Sequence, residues 1–236
     1  MRDEASASPR VRRQCMPEMP GDQGSLQRCA AVVLAAGAST RLGQAKQLIE
    51  KGGESLVRRT TRLALEAGCA LVVVVLGFEA ERMRAELRDL PVSIAVNSEW
   101  PAGMGTSVRC GVAAAFADGS STAGAPGSVL LLVCDQPRLS VKHLLGLLSR
   151  HGATPTGGKA AITASVYAGR PGVPAVFAAE LVPELLQCAG DQGARAVIRR
   201  DATRVQMVDW PEGAVDVDRP EDLEGLGGWD EDSLPA

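Results

Sequence analysis

The pattern of apolar and polar positions along this chain predicts alternating strands and helices. Two short segments, residues 70–76 and 128–133, are apolar at nearly every position. A strand without polar alternation is buried on both faces, which is typical of a parallel sheet between two layers of helices. Residues 55–67 instead place apolar side chains at helical spacing. Strands are expected at residues 30–36, 70–76, 91–96 and 128–133, and helices at residues 55–67, 80–90, 106–117 and from Ser140 onward.

After His151 the predicted strands and helices no longer alternate regularly. Strands are expected at residues 159–166, 173–177, 205–208 and 214–217, and helices at residues 179–188, 194–200 and 221–226. We interpret this part as an antiparallel elaboration of the same sheet. The fold class expected is α/β, with a single doubly wound, mostly parallel sheet. Residues 29–227 form the predicted domain, and residues 1–28 and 228–236 are predicted tails, the first of them disordered.

Composition argues against several classes of partner. The net charge of −3 gives no basic excess for nucleic acid, and 3% aromatic residues provide no stacking platform for single strands. The longest apolar run, residues 70–76, is far shorter than the ~20 residues of a membrane span. None of the six cysteines forms a CxxC pair, and no secretory signal is apparent. We therefore expect reduced thiols in a cytoplasmic protein.

A glycine-rich loop with two cations follows the first predicted strand. Gly37 and Gly43 flank it, Arg41 lies within it, and Lys46 comes just after it. Glycines allow backbone N–H groups to approach an anion closely, and the cations neutralise its charge. The spacing is not that of a Walker A loop, and the dinucleotide fingerprint GxGxxG is absent.

Two more candidate segments follow predicted strands. Residues 97–107 follow the third strand, and Asp135 follows the fourth. Ligands of open α/β sheets bind at the carboxyl ends of the strands, so these segments and the loop at 37–46 should share one edge. Asp135 is either a Mg²⁺ ligand or the residue that organises the turn before Pro137, and the residues alone leave both interpretations open.

The pattern L-x-A-G-x-x-x-R-x-G-x-x-K, from Leu34 to Lys46, resembles the signature of nucleotidyltransferases, most closely the MobA-like family and its branch that modifies the molybdenum cofactor. Four further segments resemble family motifs in the same order: residues 97–111, 134–137, 172–174 with 190–195, and 216–222. The resemblance implies a Rossmann-like nucleotidyltransferase fold.

The resemblance also implies roles for individual residues. Arg41, Lys46 and Asp135 would be catalytic, and Asp135 and Asp216 would hold Mg²⁺. The residues expected to bind the nucleotide are Leu34, Ala35, Ala36, Gly37, Ser39, Arg41, Lys46, Asn97, Gly105, Thr106 and Ser107. Gly172, Pro174 and Arg195 would bind the second substrate.

Some of these residues could instead serve the local structure of the chain. Thr106 and Ser107 could simply cap a helix, as could Asp191 and Asp218. Arg195 could be a solvated residue of a first helical turn. His143 and His151 are given no role.

The activity implied is transfer of CMP from CTP to the phosphate of the molybdenum cofactor, with release of pyrophosphate. Ala36 favours cytidine, because the guanylyl-transferring branch usually has glycine there. The partners implied are CTP and the molybdenum cofactor, with transient contact to a molybdoenzyme or its maturation chaperone, and no nucleic acid or membrane. The alternatives are guanylyl transfer to the same cofactor, nucleotidyl transfer to another phosphorylated acceptor, a dinucleotide-binding oxidoreductase, and a cofactor carrier without chemistry. The absence of GxGxxG counts against the oxidoreductase.

Overall fold

The computed structural model describes residues 29–39, 43–117, 125–153, 160–217 and 222. The two predicted tails, residues 1–28 and 228–236, lie outside these ranges, as does the predicted helical turn at 221–226 apart from Asp222. The division of the chain into tails and one domain therefore remains a prediction.

The first part of the fold alternates strands and helices as the apolar pattern predicts. Its elements are β1 (Cys29–Ala35), β2 (Glu50–Lys51), β3 (Glu54–Ser55), α1 (Leu56–Glu66), β4 (Leu71–Leu76), α2 (Ala80–Glu86), β5 (Ser93–Val96), α3 (Met104–Ala115), β6 (Ser128–Val133) and α4 (Val141–Gly152). Ser55 and Ser140 cap α1 and α4 by accepting hydrogen bonds from backbone N–H groups of the first turn. The small β2–β3 hairpin was not expected from the sequence. Gly52 and Gly53 form its turn with positive φ angles of 61° and 82°.

The second part contains the antiparallel element. Its elements are β7 (Ile162–Tyr167), β8 (Arg170–Ala178), α5 (Val182–Leu185), α6 (Arg195–Arg200) and β9 (Val205–Asp209). Strands β7 and β8 form a hairpin whose two turn residues, Ala168 and Gly169, have φ angles of 48° and 70°. The turn lies between the two strands predicted at residues 159–166 and 173–177, and β8 begins three residues before the second of them.

Within the described residues, seven of the strands form one sheet in the order β5-β4-β1-β6-β8-β7-β9. Strands β5, β4, β1 and β6 are parallel neighbours, and β8 lies antiparallel to both β6 and β7. The predicted fold class, a doubly wound and mostly parallel sheet with an antiparallel elaboration, is confirmed.

Alternate residues of each central strand pack against opposite helix layers. In β1, Ala31 and Val33 contact a core that includes α1, α2 and α4, whereas Ala30 and Val32 contact a core that includes α3, α5 and α6. Side chains of a strand point alternately to the two faces, so a strand covered on both sides must be apolar throughout. The sheet is therefore a rigid support for the loops at its edge.

Some predicted elements are wrong in detail. Residues 214–217 are not a strand: a 3-10 helix covers Pro211–Ala214, and Val217 makes a single backbone contact by donating to the carbonyl of Asp135 at 2.9 Å. The helix expected at 179–188 is a 3-10 turn followed by the short α5, since Pro183, which has no N–H, fits only the first turn of a helix. Helix α3 begins at Met104, two residues before the predicted start.

Candidate active site

The carboxyl ends of the parallel strands bring the predicted site segments to one edge of the sheet. The glycine-rich loop follows β1, Asn97 follows β5, and Asp135 lies just after β6. This arrangement follows from parallel pairing, because parallel strands end on the same side. Arg41 lies outside the described residues, so its predicted catalytic role is left as a prediction.

A buried glutamine supports the loop after β1. The Gln47 side chain is 3% exposed, and its Nε2 donates to the carbonyls of Gly37 at 2.8 Å and Ala35 at 3.3 Å. Ser39, with φ at 51°, has its Oγ 3.5 Å from the Gln47 Oε1 and accepts from the Lys46 N–H at 3.2 Å. The two ends of the loop are therefore tied together, and Lys46 is fixed beside them.

Lys46 and Asp135 form an ion pair across the site. The Lys46 Nζ lies 2.6 Å from the Asp135 Oδ2, and both side chains are 20% exposed. Charge-assisted hydrogen bonds of this length are among the stronger ones in proteins, and partial burial reduces their screening by solvent. The site thus brings together the cation and the carboxylate that the sequence predicted to be catalytic.

Residues near the carboxyl-terminal end of the chain contact the Asp135 segment. The N–H of Val217 donates to the carbonyl of Asp135 at 2.9 Å, which places Asp216 next to the Asp135 segment. Arg195, the first residue of α6, is affected by both acids. Its pKa is raised mainly by the Tyr167 hydroxyl, with further contributions from the negative charges of Asp216 and Asp135 and an opposing one from burial. Asp135, Asp216 and Arg195 therefore share one electrostatic environment.

The two acids suit a hard divalent cation. The described part of the chain holds no group of three or more His, Cys, Asp and Glu residues able to bind a metal. Magnesium needs only one or two protein carboxylates, since it keeps several waters and takes substrate phosphate oxygens. Asp135 and Asp216, whose segments are joined by the hydrogen bond from the Val217 N–H to the Asp135 carbonyl, supply that number of carboxylates. Cys134, which directly precedes Asp135, is buried in the core. Burial raises the pKa of its thiol to about 12, so the thiol stays protonated.

The predicted nucleotide segment after β5 is held by a buried polar cluster. The Asn97 amide donates to Thr106 Oγ1 at 2.8 Å and Ser107 Oγ at 3.0 Å, and Thr106 Oγ1 also donates to the carbonyls of Glu99 and Gly103. Neither hydroxyl caps the helix, since both residues lie inside α3. Asn97, Thr106 and Ser107 therefore shape this loop, and their contact with a nucleotide is a prediction that the structure leaves open.

Gly105 lies where two segments meet. Its N–H donates to the carbonyl of Gly190 at 2.8 Å, and a Cβ at this position would lie 2.5 Å from the Ala189 backbone nitrogen. Only glycine allows this approach. The close contact connects the segment after β5 with Ala189 and Gly190, at the start of the segment 190–195 that resembles a family motif. Asp191 is not a helix cap, because α6 begins only at Arg195 with Ala194 as its cap.

Side chains of β7 and of the segment after β6 hold the part of β8 that contains Gly172 and Pro174, where the register with β7 shifts. The Val173 carbonyl accepts from Gln136 Nε2 at 3.0 Å and from the Tyr167 hydroxyl at 2.9 Å. The Pro174 carbonyl accepts from Ser165 Oγ at 2.7 Å. This part of β8 contains a cis peptide bond between Val173 and Pro174. Gln136 directly follows Asp135, so its hydrogen bond connects this part of β8 to the Asp135 segment.

An aromatic cluster lies next to this part of β8. His143 Nε2 is 2.8 Å from Ser165 Oγ, and its ring stacks on Trp210 with centroids 4.6 Å apart. Tyr167 packs edge-on against the same tryptophan at 5.9 Å. Burial lowers the pKa of His143 to about 4, so its imidazole is neutral at physiological pH. His143 therefore contributes packing and hydrogen bonding.

Comparison with known proteins decides the family. Residues 31–205 match the MobA-like NTP transferase domain. The chain belongs to the MobA-like NTP transferase family. The matched range contains the loop after β1, Lys46, Asp135 and Arg195, whereas Asp216 lies beyond it.

Individual relatives of this NTP transferase span most of its length. It is 34% identical over 203 residues to nicotine blue oxidoreductase from Paenarthrobacter nicotinovorans, covering 81% of this chain and 93% of that protein. The crystal structure of Rv0371c from Mycobacterium tuberculosis H37Rv is 27% identical, with a TM-score of 0.68 over 84% of this chain and 96% of that one. A manganese complex of Rv0371c superimposes with a TM-score of 0.66 at 26% identity, covering 88% of this chain and 100% of that one.

A further similarity supports the fold alone. A nucleotidyl transferase from Methanothermobacter thermautotroptrophicus is 20% identical, with a TM-score of 0.67 over 84% of this chain and 95% of that one. None of the described helices of the NTP transferase is long and apolar enough to cross a bilayer. Its described cysteines, Cys29, Cys69, Cys110, Cys134 and Cys188, are all free thiols.

Sequence analysis did not find several residues that build the site of this transferase. Gln47, Tyr167, Ser165 and His143 make hydrogen bonds that support the site, yet none belongs to a pattern of spacing that indicates such a role. Gln136 lies in the motif-like segment 134–137, but no role was predicted for it. One signal was available for Tyr167. A Cβ on Gly172 would lie 2.6 Å from the Tyr167 hydroxyl, so a glycine two positions before a proline marks a close approach.

Proposed function

We propose that this protein transfers CMP from CTP to the phosphate of the molybdenum cofactor and releases pyrophosphate. The observation that carries the proposal is the pairing of Lys46 with Asp135 beside the loop after β1, with Asp216 and Arg195 near the same carboxylate. A cation, two acids and a second cation around one edge suit the polyanionic substrates of nucleotidyl transfer.

In the proposed reaction an oxygen of the acceptor phosphate attacks the α-phosphorus of CTP. A new P–O bond forms, the bond from the α-phosphorus to the bridging oxygen breaks, and pyrophosphate leaves with that electron pair. Lys46 would neutralise charge on the triphosphate, and Arg41 is proposed to share this role. Bound Mg²⁺, held by Asp135 and Asp216, would supply positive charge to the phosphates. Positioning and charge neutralisation supply most of the catalysis in such reactions.

The remaining predicted residues divide between the two substrates. Leu34, Ala35, Ala36, Gly37 and Ser39 would meet the base and ribose, together with the segment from Asn97 to Ser107. Gly172, Pro174 and Arg195 would meet the acceptor, and Arg195 would hold its phosphate. The choice of CTP rests on Ala36, whose carbonyl accepts from the Phe78 N–H at 3.0 Å. The cytoplasmic location and contact with a molybdoenzyme or its chaperone belong to the same proposal.

The test measures pyrophosphate release by the purified protein with Mg²⁺ and molybdenum cofactor, supplied in turn with CTP, GTP, ATP or UTP. Turnover with CTP alone is expected. Asp135→Ala should abolish it, and Asp209→Ala, an equal change at the exposed end of β9, should not. Turnover with GTP alone would agree with the proposed mechanism but contradict the selection of CTP through Ala36. No release with any nucleotide would contradict the proposal.

One similarity favours a second candidate, an oxidoreductase. The relative that aligns over 93% of its length at 34% identity is named nicotine blue oxidoreductase. That chemistry would require reduction of an organic substrate, with NADH or NADPH as the reductant. The lack of GxGxxG argues against a dinucleotide site of the usual kind. Oxidation of NADH or NADPH in the presence of nicotine blue, without pyrophosphate release in the first assay, would favour this candidate.

A further inference from the structure

The loop after β1 directs its carbonyl oxygens onto donors of the protein itself. Gln47 Nε2 donates to Ala35 O at 3.3 Å and Gly37 O at 2.8 Å, and the carbonyl between them, Ala36 O, accepts from the Phe78 N–H at 3.0 Å. Three consecutive carbonyls are therefore engaged by the protein. Ala35 is the last residue of β1, and Ala36 and Gly37 begin the loop, so the protein itself satisfies the first carbonyls after the strand.

Two backbone N–H groups of the same loop, by contrast, donate no hydrogen bond to the part of the protein that the structure describes. Across the described ranges of the chain, no hydrogen bond is made by the backbone N–H of Gly37 or Ala38. Gly37 is exposed, and Ala38 is partly exposed. Because the carbonyls of Ala36 and Gly37 are engaged while the N–H groups of Gly37 and Ala38 are not engaged by any described residue, the start of the loop presents hydrogen-bond donors.

Gln47 engages two of these three carbonyls. Its side chain is 3% exposed. Gln47 lies in the 3-10 helix Lys46–Leu48, directly after Lys46, which forms the ion pair with Asp135. An amide side chain carries both a donor group and an acceptor oxygen. The donor holds the two carbonyls, while the oxygen lies 3.5 Å from Ser39 Oγ, which also accepts from the Lys46 N–H. A carboxylate of the same shape could not donate to the carbonyls.

We propose that Gln47 is a positioning residue that turns the loop at Gly37 and Ala38 into a donor site for an acceptor group of the bound nucleotide. The acceptor is either a base edge, such as the O2 and N3 of cytosine, or a phosphate oxygen, since both accept hydrogen bonds from N–H groups. The inference rests on the nucleotide-binding part of the proposed function and is independent of the second substrate.

Amide hydrogen exchange tests the inference on the intact wild-type chain. The exchange of the Gly37 and Ala38 amides would be followed by NMR without ligand and then with saturating CTP, cytidine or tripolyphosphate, each in the presence of Mg²⁺. Fast exchange is expected without ligand, and protection by at least about tenfold with CTP. Protection by cytidine assigns the donors to the base, and protection by tripolyphosphate assigns them to phosphate.

The role of Gln47 is tested by Gln47→Glu, with CTP affinity measured by calorimetry. Loss of two hydrogen bonds to the loop is expected to weaken CTP binding by about tenfold or more. Gln206→Glu makes the same chemical change on β9, at the far edge of the sheet, and should leave the affinity unchanged. If Gln47→Glu does not fold, Ser39→Ala removes only the hydroxyl that joins the loop ends and should weaken CTP binding several-fold.

Several results would overturn the inference. They are protection of both amides without ligand, their full exposure when CTP is bound, absence of CTP binding, or a folded Gln47→Glu variant that binds CTP within twofold of wild type. Failure of the proposed function looks different. CTP would then bind and protect the two amides, but no CMP would be transferred to the molybdenum cofactor.

Discussion

The Nζ of Lys46 lies 2.6 Å from the Oδ2 of Asp135, although 89 positions separate the two residues in the chain. The family resemblance predicted both to be catalytic, Lys46 from the signature of the glycine-rich loop and Asp135 from the motif-like segment 134–137. In the folded protein each compensates the charge of the other in a partly buried site. Substrate phosphates and a metal ion would compete for the same two groups.

Replacing Lys46 tests this pair. Lys46→Met should lower pyrophosphate release by about 10²–10³-fold, because removal of one charge-stabilising group from a preorganised site has effects of this size. Lys142→Met, an exposed lysine of α4, serves as the control and should retain full activity. The assignment fails if Lys46→Met keeps more than a tenth of wild-type activity while Asp135→Ala loses it.

The Tyr167 hydroxyl connects Val173 with Arg195, and its removal should affect the acceptor selectively. Tyr167→Phe loses the 2.9 Å bond to the Val173 carbonyl and the contact with Arg195, but keeps the packing on Trp210. The KM for the acceptor should rise about 3–10-fold, with little change in the KM for CTP. Steady-state kinetics with each substrate varied will measure both constants. A double variant with Arg195→Lys should be non-additive, because the two side chains are in contact. An equal rise in both KM values would contradict this role.

The two histidines of the chain predict how stability depends on pH. Burial lowers the pKa of His143 to about 4 and lowers that of His151 below its ordinary value. Between pH 6.5 and 4 the unfolded chain therefore binds protons that the folded chain does not, and stability falls as pH falls through this window. For His143 the loss is at most about 3 kcal/mol in all, with about 1–2 kcal/mol of it between pH 7 and 5.

His143→Gln removes the titrating group but keeps a side chain that can contact Ser165. The free energy of unfolding falls between pH 7 and pH 5, and His143 is expected to cause about 1–2 kcal/mol of that fall. In His143→Gln the fall should be smaller by most of this amount. Urea unfolding followed by circular dichroism at the two pH values measures it, with His151→Gln as the comparison. An unchanged difference in His143→Gln would show that His143 does not titrate as its burial predicts.

Gly111 of α3 has a packing role that can be tested against a second helical glycine. A Cβ at Gly111 would overlap Val32 Cγ1 and lie 2.7 Å from Val75 Cγ2, so the helix lies directly on the sheet there. Gly111→Ala should destabilise the fold by about 1–3 kcal/mol. Gly146 of α4 has no atom within 4 Å of such a Cβ, and Gly146→Ala should stabilise by about 0.5–1 kcal/mol. Denaturant unfolding of both variants measures the difference, and equal effects would contradict the close contact of α3 with β1 and β4.

The sequence by itself determined the sheet and the edge at which the site lies. Apolar runs such as residues 70–76 and 128–133 identify strands buried on both faces, and alternation with helices requires parallel pairing. Parallel pairing in turn brings the segments after β1, β5 and β6 together, which is why Lys46 and Asp135 could be assigned to one site before their contact was known. These signals are local and repeat along the chain.

Only the tertiary structure decided how the site is held. Gln47 engages the loop carbonyls, Tyr167 reaches Val173 because Gly172 has no side chain, and His143 meets Ser165 and Trp210. It also showed that residues 215–217 return to Asp135 through one backbone bond, where a strand had been predicted. These contacts are single hydrogen bonds and ring contacts, several of them between residues far apart in the chain. Their geometry depends on how the helices and loops pack, and packing leaves no periodic signal in the sequence.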